Sequence, residues 1–389
     1  MNKKIKILIP IFFGFYVMGF VDFTGIAISY IKAEFAGQMP DHFFGFLATA
    51  VFYWFLMLSI PTAMAMNKIG RKNTVLASAA ITLVSAILPF AFDSIWACAA
   101  GFALLGIGNV VLQVSLMPLL ASCINSDKLA SAQSAGQSIK AVSSFASPFI
   151  ALYAASAFGS WKLVFPFFAV ITIVFGVWLY SAEAAEEKTS KSVSLKKVFG
   201  LLADRQILPL FIGIVAVCGM DMGLNMGSTM VLMEKLGLDP SLESSVRKVG
   251  FAPSVYFAAR TFGTFVGAAL LAKMDSFKYF KIHSLVALAG LALILFAKSE
   301  AATLAGIALA GYGISSIFSV VFSRALTLRP DSENEISGIM ITGIAGCAIV
   351  PPLMTFAQAE VGITIGTVAV LALACAYLIF CSFKFAAKH

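Results

Sequence analysis

Apolar residues run along this chain in long blocks separated by short polar and charged segments. The blocks fall at 7–31, 43–66, 74–92, 96–122, 129–157, 163–181, 207–233, 250–272, 280–297, 302–326, 336–358 and 362–383, each near the ~20 residues that a helix needs to cross a ~30 Å hydrocarbon core. A transmembrane β-barrel would show short alternating segments instead, and none is present. The longest polar interruption, Ser181–Gln206, divides the blocks into six and six. The pattern predicts an all-α membrane protein of twelve transmembrane helices. One six-helix bundle occupies 1–181, a linker 182–206 and a second bundle 207–389.

Composition agrees. Of 389 residues, 60% are hydrophobic and 12% charged, with mean hydropathy +0.94, against roughly 25% charge in a soluble domain. Nineteen of the 27 basic residues fall on the side of the membrane that holds the N-terminus, and six on the other. That bias places both termini in the cytoplasm, with the chain in a bacterial-type inner membrane. The net charge of +8 then belongs to inner loops facing anionic lipid, not to nucleic-acid binding. The first block is too long for a signal peptide and lacks a small-residue cleavage site, so it is expected to stay as a helix.

The chemistry-bearing residues exclude much. Cys98, Cys123, Cys218, Cys347, Cys375 and Cys381 are scattered, with no metal or redox spacing. His42, His283 and His389 lie in presumed loops or block ends, and none has a Ser or Cys nucleophile at motif spacing. Gly106, Gly108, Gly136, Gly343 and Gly346 read as close-packing positions, because no phosphate-binding context surrounds them. No enzyme activity, metal site or organic cofactor is expected.

Two acidic residues stand apart. Of 19, only Asp22 and Asp221 fall where the hydrocarbon core is expected, each in the first block of its half. An ionised carboxylate there costs several kcal/mol unless it is paired, protonated or facing water, so each is a functional candidate by default. The halves also echo each other: Ser134-Ala-Gly136 precedes Pro148 by the same 14 positions that separate Ser337-Gly338 from Pro351. A parallel repeat of this kind is how carriers with a binding site at the midplane between two halves are built.

Short motifs then carry a resemblance. Ala63-Met-Ala-Met-Asn67-Lys-Ile-Gly70-Arg71-Lys72 resembles the major facilitator loop signature G-x-L-A-D-R-x-G-R-K, with Asn67 in place of its aspartate. Gln113-Val-Ser-Leu-Met-Pro118, followed 19 residues past the proline by Gln137-Ser-Ile-Lys140, is similar to E-T-A-A-N-P and Q-x-F-N of the fucose:proton symporter branch. Gly219-Met-Asp221, Arg260-Thr-Phe-Gly-Thr264, Phe322-Ser-Arg324-Ala-Leu326 and Ser337-Gly338…Gly346…Pro351 resemble its G-x-E, R-F-x-G-T, F-S-L-A-I and S-G…G…P. The resemblance implies two pseudo-symmetric six-helix bundles. It also implies a proton site at Asp22, a second coupling acid at Asp221, and sugar contacts at Gln137 and its neighbours. Asn67, Gly70, Arg71 and Lys72 would form the gating loop.

The departures shape the expected substrate. Gln113 replaces the branch's glutamate and Lys140 its asparagine, moving the cavity two charge units toward positive, and Arg324 stands where the branch is apolar. A buried ammonium needs a counter-charge, so a sugar carrying a carboxylate fits better than a neutral hexose. The candidate substrate residues are Gln113, Gln137, Lys140, Asn225, Arg260 and Arg324. Alternatives stand beside several of them. Asp22 could pair with Lys140 or Arg260, and Asp221 could form a fixed bridge to Arg260. Arg324 could snorkel to the interface, and Gln113, Gln137 and Asn225 could be interhelical hydrogen-bonding residues, with the site reading preferred for Gln137 because it falls on the branch's sugar-binding glutamine. The reading is a monomeric proton-coupled importer of a monosaccharide or sugar acid in the lipid bilayer. Sodium remains open as the coupling ion, and a neutral-hexose symporter or a drug:proton antiporter of the same fold are the alternatives.

Overall fold

The computed structural model describes residues 3–35, 37–182, 195–238 and 248–386, and among them it contains helices and no strand. The helices are α1 (Lys3–Met18), α2 (Thr24–Glu34), α3 (Asp41–Ile69), α4 (Arg71–Ala91), α5 (Ile95–Ala121), α6 (Leu129–Phe158), α7 (Val164–Ser181), α8 (Leu195–Leu202) and α9 (Ile207–Lys235). They continue with α10 (Ala252–Leu271), α11 (Ser276–Phe296), α12 (Glu300–Ile314), α13 (Ile317–Leu328), α14 (Glu333–Thr342), α15 (Gly346–Val361) and α16 (Ile363–Ala386). Eleven stretches among the described residues are long and apolar enough to cross a membrane. The remaining expected block, 43–66, lies within α3, a 29-residue helix. Residues 183–194 of the expected linker lie outside the described residues, and Leu195–Leu202 forms the short helix α8.

Three of the expected spans are broken. The first is interrupted by a 3₁₀ turn, Gly19–Phe23. The tenth divides at Ser315–Ser316 into α12 and α13, and the eleventh has a 3₁₀ turn, Gly343–Ala345, between α14 and α15. Irregular backbone at membrane depth frees carbonyls and amides, and is tolerated only where protein or a water-filled space satisfies them. The breaks therefore mark places where the chain is built for something other than spanning.

The chain forms two compact units. One comprises Met1–Asn125, Gly136–Gly200 and Arg329–Thr342; the other comprises Ser126–Ala135, Leu201–Leu328 and Gly343–His389. Each unit thus takes one sequence half and a short segment of the other, a division finer than the 1–181 and 207–389 halves. Hydrogen bonds explain both segments. In the second unit Ser134 Oγ donates to the Thr264 carbonyl (3.1 Å) or meets Ser316 Oγ (2.6 Å). In the first unit Ser337 Oγ donates to the Val114 carbonyl at 2.7 Å. The repeated serines of the sequence thus do matching jobs: that of the fifth span binds the tenth, and that of the eleventh binds the fourth.

Small residues set the closest helix approaches. A Cβ on Gly346 would overlap the Val215 carbonyl, and one on Gly219 would overlap Val350, so α9 and α15 touch backbone to backbone there. A Cβ on Gly136 would come within 2.6 Å of the Phe15 ring, and one on Gly108 within 2.6 Å of Thr82 Oγ1. These glycines are packing positions, as their sequence context implies. On the outside, Phe145, Phe149 and Tyr153 of α6 are exposed at helical spacing, an apolar stripe that suits lipid contact.

Candidate functional site

In the first unit the site begins at the break in the first span. Gly19 starts the turn because nothing larger fits: a Cβ there would lie 2.6 Å from Ser143 Cβ and 2.7 Å from the Lys140 carbonyl of α6. Phe20 and Phe23 anchor it on α7, with Phe20 stacked on Phe168 at 4.0 Å between centroids and Phe23 edge-on to Phe165. The Met18 carbonyl freed by the break accepts from Asn109 Nδ2 of α5 at 2.7 Å. Gly19, Phe20, Val21 and Phe23 are all buried, whereas Asp22 between them is exposed. The turn thereby presents one carboxylate from an otherwise buried segment.

Ser144 Oγ of α6 donates to Asp22 Oδ2 at 2.5 Å and lies 3.0 Å from the Lys140 carbonyl. Gln137, Lys140 and Ser144 are spaced i, i+3, i+7, which puts them on one face of α6. Gln137 and Lys140 are half-buried, and neither side chain makes a hydrogen bond or ion pair among the described residues. Lys140 is therefore not an ion-pair partner of Asp22. Gln113 is different. It is buried, and its Nε2 donates to Asn109 Oδ1 at 2.7 Å, so it buttresses the break through Asn109.

The second unit holds Asp221 at the middle of α9. Its Oδ1 accepts from Arg260 Nε of α10 at 2.8 Å and from Tyr256 Oη, one turn earlier on α10. Tyr256 is fully buried, and the two charged side chains are about one-third exposed. Arg and Tyr hydroxyl both act as donors to the charged carboxylate, so the geometry is that of an ion pair. Asn225 follows Asp221 by one turn of the same helix and is half-buried. Cys218 and Cys347, far apart in sequence, meet beside this group, with Cys347 Sγ 3.3 Å from the Cys218 carbonyl. Arg324 does not join it. Its guanidinium sits 5.1 Å over the Phe277 ring at the start of α11, with Nε buried and unpartnered, near the end of α13. That placement is the interface-side position that the snorkelling alternative describes.

The ion pair makes a prediction. Asp221→Asn removes the carboxylate charge that Arg260 Nε binds, and the folded yield of purified protein is expected to fall. Asp221→Asn/Arg260→Gln should recover it, because both charges of the pair are then removed together. A double variant no better than the single would assign Asp221 a role other than partnering Arg260.

The loop signature is also assembled within the first unit. Gly70 joins α3 to α4 at φ +86°, a backbone conformation that side chains rarely adopt. Arg71 binds Asn334 Oδ1 through Nε at 2.7 Å, the Pro118 carbonyl through Nη1 at 2.9 Å, and Glu333 through Nη2 at 2.8 Å. Asn67 donates to Glu335 Oε1 at 3.1 Å and accepts from Asn334 Nδ2 at 2.7 Å. Lys72 ties α4 to the end of α7 through the Tyr180 and Ala182 carbonyls. The departure at Asn67 is thus compensated: the carboxylate stands across from it, on the buried Glu335. Asn67→Asp would set two carboxylates against each other, and a thermal-shift assay should read a loss of about 1–3 kcal/mol, the cost of a buried acceptor left without a donor. Adding Glu335→Gln should restore most of it; an Asn67→Asp protein as stable as wild type would refute the pairing.

Sequence reasoning missed several of these partners. Ser144 and Tyr256 lie one turn from Lys140 and Arg260, but spacing alone did not show what their hydroxyls bind. Glu333, Asn334 and Glu335 carried no signal of their own. His283 requires correction: it is no loop or end residue but lies inside α11, 5% exposed, stacked on Tyr279 at 3.7 Å, its Nδ1 3.2 Å from the Tyr279 carbonyl. His42 stands at the start of α3, and His389 lies outside the described residues. A cavity of about 490 Å³ lined by Glu34, Gln38, Asp93 and Trp96 includes none of the candidates. Beside it Lys162 bridges Glu34 and Asp93 at 2.5 and 2.7 Å; its hydrogen bond holds the Asp93 carboxyl below its ordinary range. Among the described residues no cluster of His, Cys, Asp and Glu is placed to hold a metal ion.

Comparison with known proteins follows this geometry. A model of the Major Facilitator Superfamily matches residues 10–352. A search of curated proteins finds no match. Among solved structures, FucP, a major facilitator transporter captured in the outward conformation, superposes with TM-score 0.84 at 15% identity, over 98% of this chain and 99% of that one. A second structure, of the E. coli fucose:proton symporter FucP, gives 0.81 at 15% identity over 97% of each chain. A bacterial homologue of the iron transporter ferroportin gives 0.74 at 12% identity, covering 98% of this chain and 100% of that one. The proton:xylose symporter XylE bound to 6-bromo-6-deoxy-D-glucose gives 0.73 at 12% identity, covering 97% and 94%. At these identities the likeness establishes the fold.

Proposed function

The chain belongs to the major facilitator superfamily, and on that premise we propose that it imports a monosaccharide together with a proton, with preference for a sugar that carries a carboxylate. The observation that carries the reading is the asymmetry between the two mid-span aspartates. Asp22 is exposed on a helix break and hydrogen-bonded to a neutral hydroxyl, whereas Asp221 is bound to a guanidinium and a phenol. The first carboxyl has no fixed counter-charge beside it, whereas the second is one half of an ion pair. Coupling is accordingly assigned to Asp22, and Asp221 with Arg260 and Tyr256 to holding α9 against α10.

The substrate groups are Gln137 and Lys140, which share a helix face with the hydroxyl that binds Asp22. Neither side chain is hydrogen-bonded or ion-paired among the described residues. An amide suits sugar hydroxyls, and an ammonium without a counter-charge suits a carboxylate. The fold likeness to fucose and xylose symporters fits a sugar. By this reading transport proceeds by alternating access across the inner membrane, with both termini cytoplasmic. The contacts of Asn67 and Arg71, which flank Gly70, with Glu333–Glu335 belong to the cytoplasmic gate and hold it until the cycle turns.

Uptake by proteoliposomes of D-glucuronate, N-acetylneuraminate, L-fucose and D-xylose, with an acid exterior, tests the reading. Accumulation of an acidic sugar that a protonophore abolishes, and that sodium does not replace, is expected. Binding of apolar cationic drugs with no sugar uptake would transfer the protein to the drug:proton antiporters.

A further inference from the structure

The hydroxyl that meets Asp22 has a second neighbour, and the pair of contacts has a chemical consequence. Ser144 Oγ lies 2.5 Å from Asp22 Oδ2 and 3.0 Å from the Lys140 carbonyl one turn back on its own helix. A serine hydroxyl has one proton to donate and lone pairs to accept with. When Asp22 is ionised, the proton must point to the carboxylate. When Asp22 is protonated, its O–H can donate to Ser144 Oγ, and the Ser144 proton turns to the Lys140 carbonyl, the back-bond that helical serines make readily. Both charge states are satisfied by rotation about one C–O bond, with no heavy atom displaced.

We propose that Ser144 is a positioning residue for proton transfer at Asp22, exchanging donor and acceptor roles as the carboxyl titrates. The inference rests on the coupling role assigned to Asp22 above. It adds that the α6 face carrying Gln137 and Lys140 is tied to that carboxyl in both of its states, so a ligand that shifts α6 also shifts the carboxyl's partner. The other charged groups on elements packed against the Gly19–Phe23 turn are few. They are Lys140 on α6, which makes no ion pair; Lys162 before α7, engaged by Glu34 and Asp93; and Lys32 and Glu34 on α2. The basic residues of α1 lie three turns or more away in sequence, and α5 offers the neutral Asn109 and Gln113. Asp221 differs, because besides the Tyr256 hydroxyl it is bound by the Arg260 guanidinium, which has no lone pair with which to accept.

The titration can be read without knowing the substrate. Dicyclohexylcarbodiimide forms an N-acylurea with a protonated carboxyl in apolar surroundings, so peptide mass spectrometry of full-length protein labelled across a pH series gives a midpoint for Asp22. Ser144→Thr keeps the hydroxyl, and Ser144→Val has nearly the same shape without it; Ser144→Ala is the smaller control. The charge-assisted bond lost by the ionised form is about twice as strong as the neutral one lost by the acid, so the midpoint should rise by roughly half to one pH unit in the Val and Ala variants. In the Thr variant it should stay at the wild-type value. A midpoint that does not move in Ser144→Val, or an Asp22 that is never labelled at any pH, overturns the proposal. Its failure is distinct from failure of the transport reading. Should Asp22→Asn still accumulate substrate while the Ser144 variants move the midpoint, the hydroxyl's role stands and the coupling assignment falls.

Discussion

In Asp22→Asn, pH-driven accumulation is expected to vanish while exchange of substrate across the membrane survives. The amide reproduces the shape and hydrogen bonding of the protonated carboxyl: its NH₂ can donate to Ser144 Oγ, which passes its own proton to the Lys140 carbonyl. What it cannot do is release a proton. A one-unit pH difference is worth about 1.4 kcal/mol per proton, a tenfold concentration ratio, and the variant should lose all of it, bringing the ratio from about ten to about one. Counterflow, in which unlabelled sugar inside draws labelled sugar in, needs no net proton movement and should persist at a reduced rate. Wild-type accumulation by this variant would remove Asp22 from the mechanism, and loss of counterflow as well would mean that the break in the first span had collapsed.

The expectation leans on a residue that the sequence showed plainly and on a geometry that it did not. Asp22 stood out because hydropathy makes a lone acid in an apolar block conspicuous, and the blocks themselves were legible for the same reason: the hydrocarbon core demands length and apolarity and little else. The turn that presents Asp22 was hidden. Gly19 and the phenylalanines around it read as ordinary membrane helix, and only the approach of α6 to Gly19 shows why the helix breaks there. Ser144 and Tyr256 were hidden for a related reason, since a hydroxyl among apolar residues looks like packing until its acceptor is located. Gln113 was legible as a position matching an acid of the resembled branch, but its bond to the neighbouring Asn109 was not. The compensation of Asn67 by Glu335 depends on residues 268 positions apart, which no local pattern could join.

Substitution of Lys140 tests the proposed substrate class. If its ammonium receives a substrate carboxylate, Lys140→Gln should weaken an acidic sugar by roughly 2–5 kcal/mol, the range for truncating one partner of a close charge pair, and a neutral sugar of similar size much less. The competing role is that Lys140 acts on Asp22 alone; its removal would then move the pH optimum for every substrate alike. Lys140 and Asp22 form no ion pair, and the carboxylate is hydrogen-bonded to Ser144 instead. Charge accounting supplies an independent check. A monoanionic sugar entering with one proton carries no net charge and should ignore the membrane potential, whereas a neutral hexose with one proton carries one charge and should gain about 2.3 kcal/mol, roughly fifty-fold, per 100 mV. Affinities for D-glucuronate and L-fucose at several pH values, in wild type and Lys140→Gln, together with uptake at imposed potentials, separate the two roles. Equal losses for both sugars with a moved pH optimum would sink carboxylate recognition and put a neutral hexose in its place.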